Sequence, residues 1–363
     1  MGFMLAHAGH DAQIRALLRT IDMPGPIRLA FCREPDYFLG QGIYGPVSQT
    51  LVWESKGEIK AMGCRSVKTV YINGRETGIG YLHGLRIAPS VRNHTVLGRG
   101  YRAIRELHAD GLAPAYLTTI VNANRAARRV LTSKKAGIPE YRDIGTYHVS
   151  TLFLDRHVAG RKNGIEIVNG ARVSLDDIIR FLNKQGRRRQ FFPFMQESDF
   201  NSPYTRGFSP KDFLVAVNGS NIIGTLGLWD QRAYKQHIIA GYSGSFSMVR
   251  PFINVMLKAA GCLPLPPPGK HLGCLIACFV CIDGDDPCVL ESLLAEAMRN
   301  IHGNGFFGVS IGFHESDPLR NGVKRYFRLS YESRMYLACW EDGRSFCDAC
   351  GNGRIPYLEL GAL

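Results

Sequence analysis

The chain has 363 residues, 45% of them apolar and 21% charged, which is enough for about two globular domains that each bury a core. That composition excludes a disordered or low-complexity chain, and no apolar run reaches membrane length, residues 272–282 being the longest candidate. A net charge of +13 implies anionic partners, among which coenzyme A, RNA and acidic proteins are not distinguished by charge alone.

In chain order, residues 11–19 read as a short helix with Ile14, Leu17 and Leu18 on one face, and residues 26–32 as a strand. Residues 48–53 and 58–72 read as strands joined at Lys56-Gly57, and Asn73-Gly74 turns the chain into a strand over 77–88. Leu85 and Ile87 alternate in that strand and Pro89 ends its ladder. Leu97, Tyr101, Ile104 and His108 then share one side of a helix that Gly111 stops, and 115–121 is the next strand. A helix at 124–132 and a strand at 147–154 complete a first domain, residues 1–155; basic, glycine-containing residues 156–172 form a linker. Ser174 caps a further helix, and residues 212–217 and 221–229 form a hairpin around Asn218-Gly219. Strand 275–282, helix 288–301 and strands 306–311 and 336–340 repeat the order of the first domain. This gives a second domain at 173–345 and a C-terminal tail at 346–363. The fold class is α+β (α/β): two tandem domains, each a mixed, mostly antiparallel sheet flanked by helices.

Residues 80–124, which order a strand, a basic turn, a helix and a strand, resemble the cofactor-binding core of the GCN5-related N-acetyltransferases. Ile87, Pro89 and Arg92 match the V-x-P-x-x-R strand end of that family. In the R/Q-x-x-G-x-G/A that follows, the glycine positions fall on Thr95 and Leu97, and the glycines present, Gly98 and Gly100, come three residues later. An ungapped alignment keeps the helix at full length and places both glycines inside it, at about 1 kcal/mol each relative to alanine. In either alignment the resemblance implies that acetyl-CoA, or another acyl-CoA, rests its pyrophosphate on the segment Arg92, Asn93, His94, Thr95, Val96, Leu97, Gly98 and Gly100. Helix-start N–H groups and the helix dipole favour an anion there. Leu85, Arg86 and Ile87 complete the implied cofactor site. Asn124 and Ala127 match an N-x-x-A on the next helix, whose asparagine binds the cofactor arm in the family. The tyrosine that protonates the leaving thiolate falls on Leu131, so the usual general acid is absent.

His83 lies two residues before Leu85 and next to Tyr81 along one strand face. Arylalkylamine N-acetyltransferases look similar here, with histidines at both matching places, and the comparison makes His83 the candidate base for a substrate ammonium and Tyr81 its catalytic neighbour. An unperturbed imidazole titrates near working pH. The second domain has Asp283, Asp285 and Asp286 where a pyrophosphate would sit, and like charge opposes phosphate there.

Other constellations have plainer explanations. Cys274, Cys278 and Cys281 have the spacing of a radical cluster motif, but they lie in an apolar run that reads as a core strand. Cys347 and Cys350 make half a zinc site with no second pair, so no metal is expected. Arg187, Arg188 and Arg189 precede Phe191 and Phe192 as in nucleic-acid sites, or as a solvated helix end running into a buried strand.

Together these readings lead to an acyl-CoA-dependent N-acyltransferase acting on a small-molecule or peptide amine by direct attack on the thioester. The alternatives are aminoacyl transfer from charged tRNA by a Fem-like tandem protein, and a non-catalytic acyl-CoA sensor. A cytoplasmic location, ten reduced cysteines and no membrane partner complete the expectations, with a homo-oligomer possible and tRNA a possible but not favoured partner.

Overall fold

The structure, a computed structural model, describes residues 2–20, 22–23, 25–92, 94–133, 137–153, 164–259, 261 and 263–363; for Met23 and His94 it describes the backbone only. Asn93, the last residue of the expected strand 147–154, and residues 156–163 of the expected linker lie outside the described residues.

The first half follows the expected order. β1 (Met4–Leu5) precedes α1 (Asp11–Arg19), which buries Ile14, Leu17 and Leu18. After β2 (Asp22–Met23) and β3 (Ile27–Cys32), an antiparallel meander is formed by β4 (Val47–Ser55), β5 (Glu58–Ile72) and β6 (Arg75–Ile87). Its turns place Lys56-Gly57 and Asn73-Gly74 at positive φ, as two-residue hairpins require. α2 (His94–His108) runs the full length that the ungapped alignment gives it. β7 (Tyr116–Val121), α3 (Arg125–Leu131) and β8 (Glu140–Phe153) complete this half, β8 starting earlier than the expected Tyr147. Residues 140–146 lack a continuous apolar run, and pairing on a neighbouring strand extends them.

The second half comprises β9 (Glu166–Asn169), α4 (Leu175–Gly186), β10 (Phe192–Pro193), β11 (Phe213–Asn218), β12 (Asn221–Trp229), β13 (Gln236–Tyr242), α5 (Gly244–Ala259), β14 (Cys274–Ile282), α6 (Pro287–Ile301), β15 (Gly308–His314), β16 (Arg328–Cys339) and α7 (Arg344–Ala349). Among the described residues, thirteen strands form one mixed sheet in the order β1-β4-β5-β6-β7-β16-β8-β15-β14-β12-β11-β9, with β10 beside β5; β13-β3-β2 form a smaller one.

The large sheet takes strands from both sides of residues 156–172. β16 comes from the second half, yet it lies between β7 and β8 of the first, with Met335 opposite Thr119 and Ser333 opposite Tyr147. β8 in turn lies between β16 and β15. Burial explains the central position of β16: Met335, Leu337 and Cys339 pack into the core on one face, Tyr336 and Ala338 on the other.

Helices cover both faces around β6. On one, α2 and α3 pack over Leu51, Leu82, Tyr116 and Ile120; on the other, α1 packs over Val52, Met62 and Cys64. Arg65 of β5 is fully buried and forks onto Asp110, just past α2, at 2.7 and 2.8 Å, clamping the helix to the sheet. Among the described residues no helix is long and apolar enough to cross a membrane.

Candidate active site

β6 and β7 run parallel but pair only at Gly80–Tyr116 and Tyr81–Leu117, and beyond these pairs they part. At the same level β6 is bulged. Cys64 pairs with His83 and Met62 with Arg86, so Gly84 and Leu85 together oppose Gly63. Gly84 has φ 64°, open to glycine at no steric cost, and a Cβ there would come within 2.9 Å of Cys64 Sγ. A cavity of about 400 Å³ opens at this splay and takes its lining from both faces of the sheet.

On the α2 face the cavity wall includes Ile87, Val96, Leu97, Gly100, Asn124 and Leu131. Gly100 gives room to the N-terminal segment, since a Cβ would meet the Phe3 ring at 3.2 Å. Thr95 and Gly98 point elsewhere, into a second depression shared with Arg99, Arg102 and Arg105. The first turn of α2 carries no acidic side chain, and Arg92 just before it turns Nη2 to within 3.4 Å of the Ile87 carbonyl. Asn124 caps α3, its Oδ1 accepting from Ala127 N–H at 3.1 Å, which leaves its amide nitrogen as the group able to donate to a ligand. Leu131 is buried. The hydroxyls of Tyr101 and Tyr141, hydrogen-bonded to each other, line the same cavity; burial pushes Tyr101 up to about 12, so it stays protonated at neutral pH. A basic turn, a first helical turn free of carboxylates and an amide donor suit a phosphorylated thioester such as acyl-CoA.

The opposite face is polar. Leu85 sits at the mouth, 39% exposed, while Tyr81, His83 and Arg86 face inward together, the bulge keeping Arg86 on the same side as His83. Arg86 therefore points away from α2, not toward the implied pyrophosphate. Half-buried His83 stacks on Tyr44 at 3.9 Å and Tyr81 at 5.0 Å between ring centroids. His83 Nε2 lies 3.0 Å from Ser66 Oγ, which lies 2.8 Å from Ser48 Oγ, so a row of polar groups crosses three strands. Loss of solvent, and then the cations Arg33, Lys235 and Lys68, hold the imidazole well below its usual value. The unperturbed imidazole expected from the sequence is thus corrected: His83 is neutral at neutral pH with room to spare. Burial likewise raises the Tyr81 hydroxyl, which is hydrogen-bonded to Thr119.

The sequence reading missed Arg33, Tyr44, Ser66 and Lys235, which all line this face of the cavity. They come from different segments and form no motif. The one available signal was burial, since Arg33 and Lys235 sit at the joined ends of two apolar strands.

No protein-family model and no curated protein sequence matches the chain. Solved structures do. The glucosamine N-acetyltransferase region of a fungal multi-domain β-N-acetylglucosaminidase aligns over 92% of this chain at 12% identity and a TM-score of 0.60; the chain spans 38% of that protein. Saccharomyces cerevisiae N-myristoyltransferase with bound myristoyl-CoA aligns over 93% of this chain and 82% of its own at 10% identity and a TM-score of 0.57. The chain has the fold of the GCN5-related N-acetyltransferases.

Within this N-acetyltransferase fold the second half repeats the strand, bulge, helix and parallel strand of the first. β14 pairs Gly227 with Cys278 and Thr225 with Cys281, leaving Phe279 and Val280 opposite Leu226, with Phe279 at φ 49°. Here the bulge is occupied by the chain itself: Glu359 Oε2 accepts from Phe279 N–H at 2.8 Å and from the Tyr357 hydroxyl at 2.8 Å, and Oε1 accepts from Gly361 N–H at 3.0 Å. The acidic turn before α6 is also engaged. Arg189 binds Asp285 at 2.5 Å and Asp317 at 3.1 Å, and Arg188 approaches Asp283 and Asp285. Cys278 and Cys281 are buried in β14, where loss of solvent pushes both thiols up. Among the described residues no three His, Cys, Asp or Glu side chains are arranged to hold a metal ion.

Proposed function

We propose that the chain is an acyl-CoA-dependent N-acyltransferase whose reaction takes place in the splay between β6 and β7. The observation that carries this reading is the coincidence, at one cavity, of the parted parallel strands, the Gly84 bulge and the carboxylate-free start of α2. The N-acetyl- and N-myristoyltransferases that share the fold support it. We also read the two halves as two copies of one unit, of which only the first keeps an open cleft.

Acyl-CoA supplies the thioester: the amine nitrogen bonds to its carbonyl carbon, the carbon–sulfur bond breaks, and the sulfur leaves with the electron pair. His83, neutral at working pH, takes a proton from the incoming ammonium; with Nε2–H donated to Ser66 Oγ, Nδ1 is the accepting atom. The backbone N–H groups of the bulge are the donors we assign to the developing oxyanion. Asn124 holds the cofactor arm, and Arg92 with the first turn of α2 receives its phosphates. Tyr101 and Tyr141, whose hydroxyls line the cavity and which pack in one cluster with Leu131, are the candidate acids in place of the tyrosine that Leu131 replaces.

A non-catalytic acyl-CoA sensor is the second reading, favoured by the aliphatic Leu131. Release of free thiol from acetyl-CoA and longer acyl-CoAs, measured with a panel of amines and with charged tRNA, separates the readings. Amine-dependent release is the expected result; acyl-CoA binding with no release under any acceptor would leave the sensor.

A further inference from the structure

α5 carries its apolar side outward. At 100° per residue, Met248, Val249, Phe252, Val255 and Met256 fall within an arc of about 120° on one side of the helix. They are 79%, 48%, 69%, 65% and 59% exposed. Ser245 and Ala259 complete that arc, so no charge interrupts it. The opposite side faces the protein: Leu257 is buried among Phe153, Leu265 and Phe307, with Phe246 and Ile253 packed against them. Arg250 and Asn254 also turn inward. Both donate to the Leu265 carbonyl, at 3.0 and 3.4 Å, and Asn254 Oδ1 accepts from Leu265 N–H at 2.8 Å. The helix thus uses its polar side on its own loop and presents its apolar side to solvent.

A contiguous set of exposed apolar side chains marks an interface. Two observations say what covers this one. The first is area: α5 has 16 residues and is about 24 Å long, so a strip about 10 Å wide along it covers roughly 240 Å², well short of the roughly 800 Å² per partner of a stable protein interface. A helix lying in a bilayer interface needs no such area, because it sinks its apolar stripe about 5–10 Å into the lipid. The second is charge. From residue 231 to residue 282 the chain contains no Asp or Glu and five Lys or Arg. Lys258 flanks the apolar arc, Lys270 follows the helix, both are exposed, and among the described residues neither forms an ion pair with an Asp or Glu. Asp22 of β2 is engaged by Arg28 of β3 at 3.4 Å. A second copy docked through α5 would bring two basic faces together, whereas an anionic lipid surface attracts them.

We infer that α5 is a membrane-docking helix: its apolar face inserts into the interface of a bilayer that carries anionic phospholipids, with Lys258 and Lys270 at the headgroups. The helix lies in the interface and does not span the bilayer. The chain then has a membrane partner, contrary to the expectation above. The docking helix does not depend on the acyl-transfer reading, yet it bears on the cavity. Leu272 and Cys274 pack against the cluster under α5 and also line the cavity, so docking holds the cavity beside the lipid surface with that layer of side chains between them.

Vesicle binding by the full-length protein tests this. Co-flotation is measured with phosphatidylcholine vesicles, with and without phosphatidylserine, at low and at high salt. Binding is expected to be about tenfold stronger or more with phosphatidylserine, and to weaken as salt is raised. Phe252→Gln combined with Met256→Gln is expected to weaken it about tenfold or more with Tm unchanged, since both side chains are exposed. Lys258→Gln is expected to weaken it about fivefold. Phe252→Trp reports insertion: its emission, taken as the difference from the wild-type chain, is expected to move to shorter wavelength on phosphatidylserine vesicles and to be quenched by brominated acyl chains. No flotation with either vesicle, or flotation without quenching, overturns the docking helix. Equal binding to both vesicles overturns the anionic lipid. Sedimentation velocity covers the remaining occupant: a concentration-dependent dimer that the double substitution abolishes, with no flotation, assigns the face to a second copy instead.

Discussion

The two halves build the same backbone device and use it in opposite ways. In each, an antiparallel strand carries a bulge with its first residue at positive φ, Gly84 at 64° and Phe279 at 49°, and then passes through a helix into a parallel neighbour. At Gly84 the bulge opens onto a cavity. At Phe279 the side chain is packed among Phe208, Phe213 and Trp229, and the bulge N–H is taken by the carboxylate of Glu359. A left-handed conformation costs a residue with a Cβ about 1–2 kcal/mol, and it persists at Phe279 because aromatic packing and the buried hydrogen bond fix it. The turns differ as sharply. Arg92 precedes a first turn without carboxylates, whereas Asp283, Asp285 and Asp286 precede α6 and are held by Arg188, Arg189 and a capping bond to Cys288. The lesson is that topology supplies the cleft, and side chains decide whether it stays open to a ligand or is closed into core.

The sharpest way to break this comparison is to disable the open half. His83→Gln keeps a polar partner for Ser66 but no base, and is expected to lower turnover by roughly 10²-fold or more with acyl-CoA binding intact. Retention of more than about a third of the wild-type rate would reduce His83 to a structural residue. The direction of its titration sharpens the test. A folded-state value well below 6.5 leaves the imidazole neutral from pH 6.5 upward, so the rate is flat there and falls only at lower pH. An acid limb centred at or above 6.5 contradicts the assignment. The same shift acts on stability: between the unfolded and folded values the unfolded chain binds the extra proton, so His83 makes the protein less stable as pH drops below about 6.5.

Closure of the second half is tested at Glu359. Glu359→Ala removes the acceptor of two buried N–H groups and the Tyr357 hydroxyl, and is expected to destabilise the protein by roughly 2–4 kcal/mol in denaturant unfolding. Glu359→Gln, which keeps an oxygen in place, is expected to lose less. Equal, small losses would mean that the tail does not hold the Phe279 bulge.

The smallest expected effect concerns the basic turn. Arg92→Ala is expected to weaken acyl-CoA binding about tenfold, read by the ligand-induced rise in Tm, since one exposed charge-assisted contact to phosphate is lost. No change would move the phosphate contacts to Arg99, Arg102 and Arg105 beside Thr95 and Gly98. The measurement calls for the whole chain, because a fragment ending at residue 155 lacks β16 between β7 and β8.

Much was legible from the sequence because it is local. Periodicity at Ile14, Leu17 and Leu18, the glycine turns at 57 and 74, and the strand–turn–helix of residues 80–108 each depend on neighbours a few positions away, and the structure places them as read. His83 beside Tyr81 was readable for the same reason, as strand alternation alone puts them on one face. What only the tertiary structure decided is non-local. β16 crosses into the first half because it is apolar on both faces and the gap between β7 and β8 can bury both. Thr95 and Gly98 turn away from the cavity because the rotation of α2 is set by packing on Leu82 and Ile120, not by motif spacing. Arg33 and Lys235 meet only through the β3–β13 register, and with them come much of the depression of the imidazole and the unfilled donor of Arg33. A sequence specifies which side chains are charged; how much a charge is desolvated, and what it faces, depends on segments that approach one another only in the folded chain.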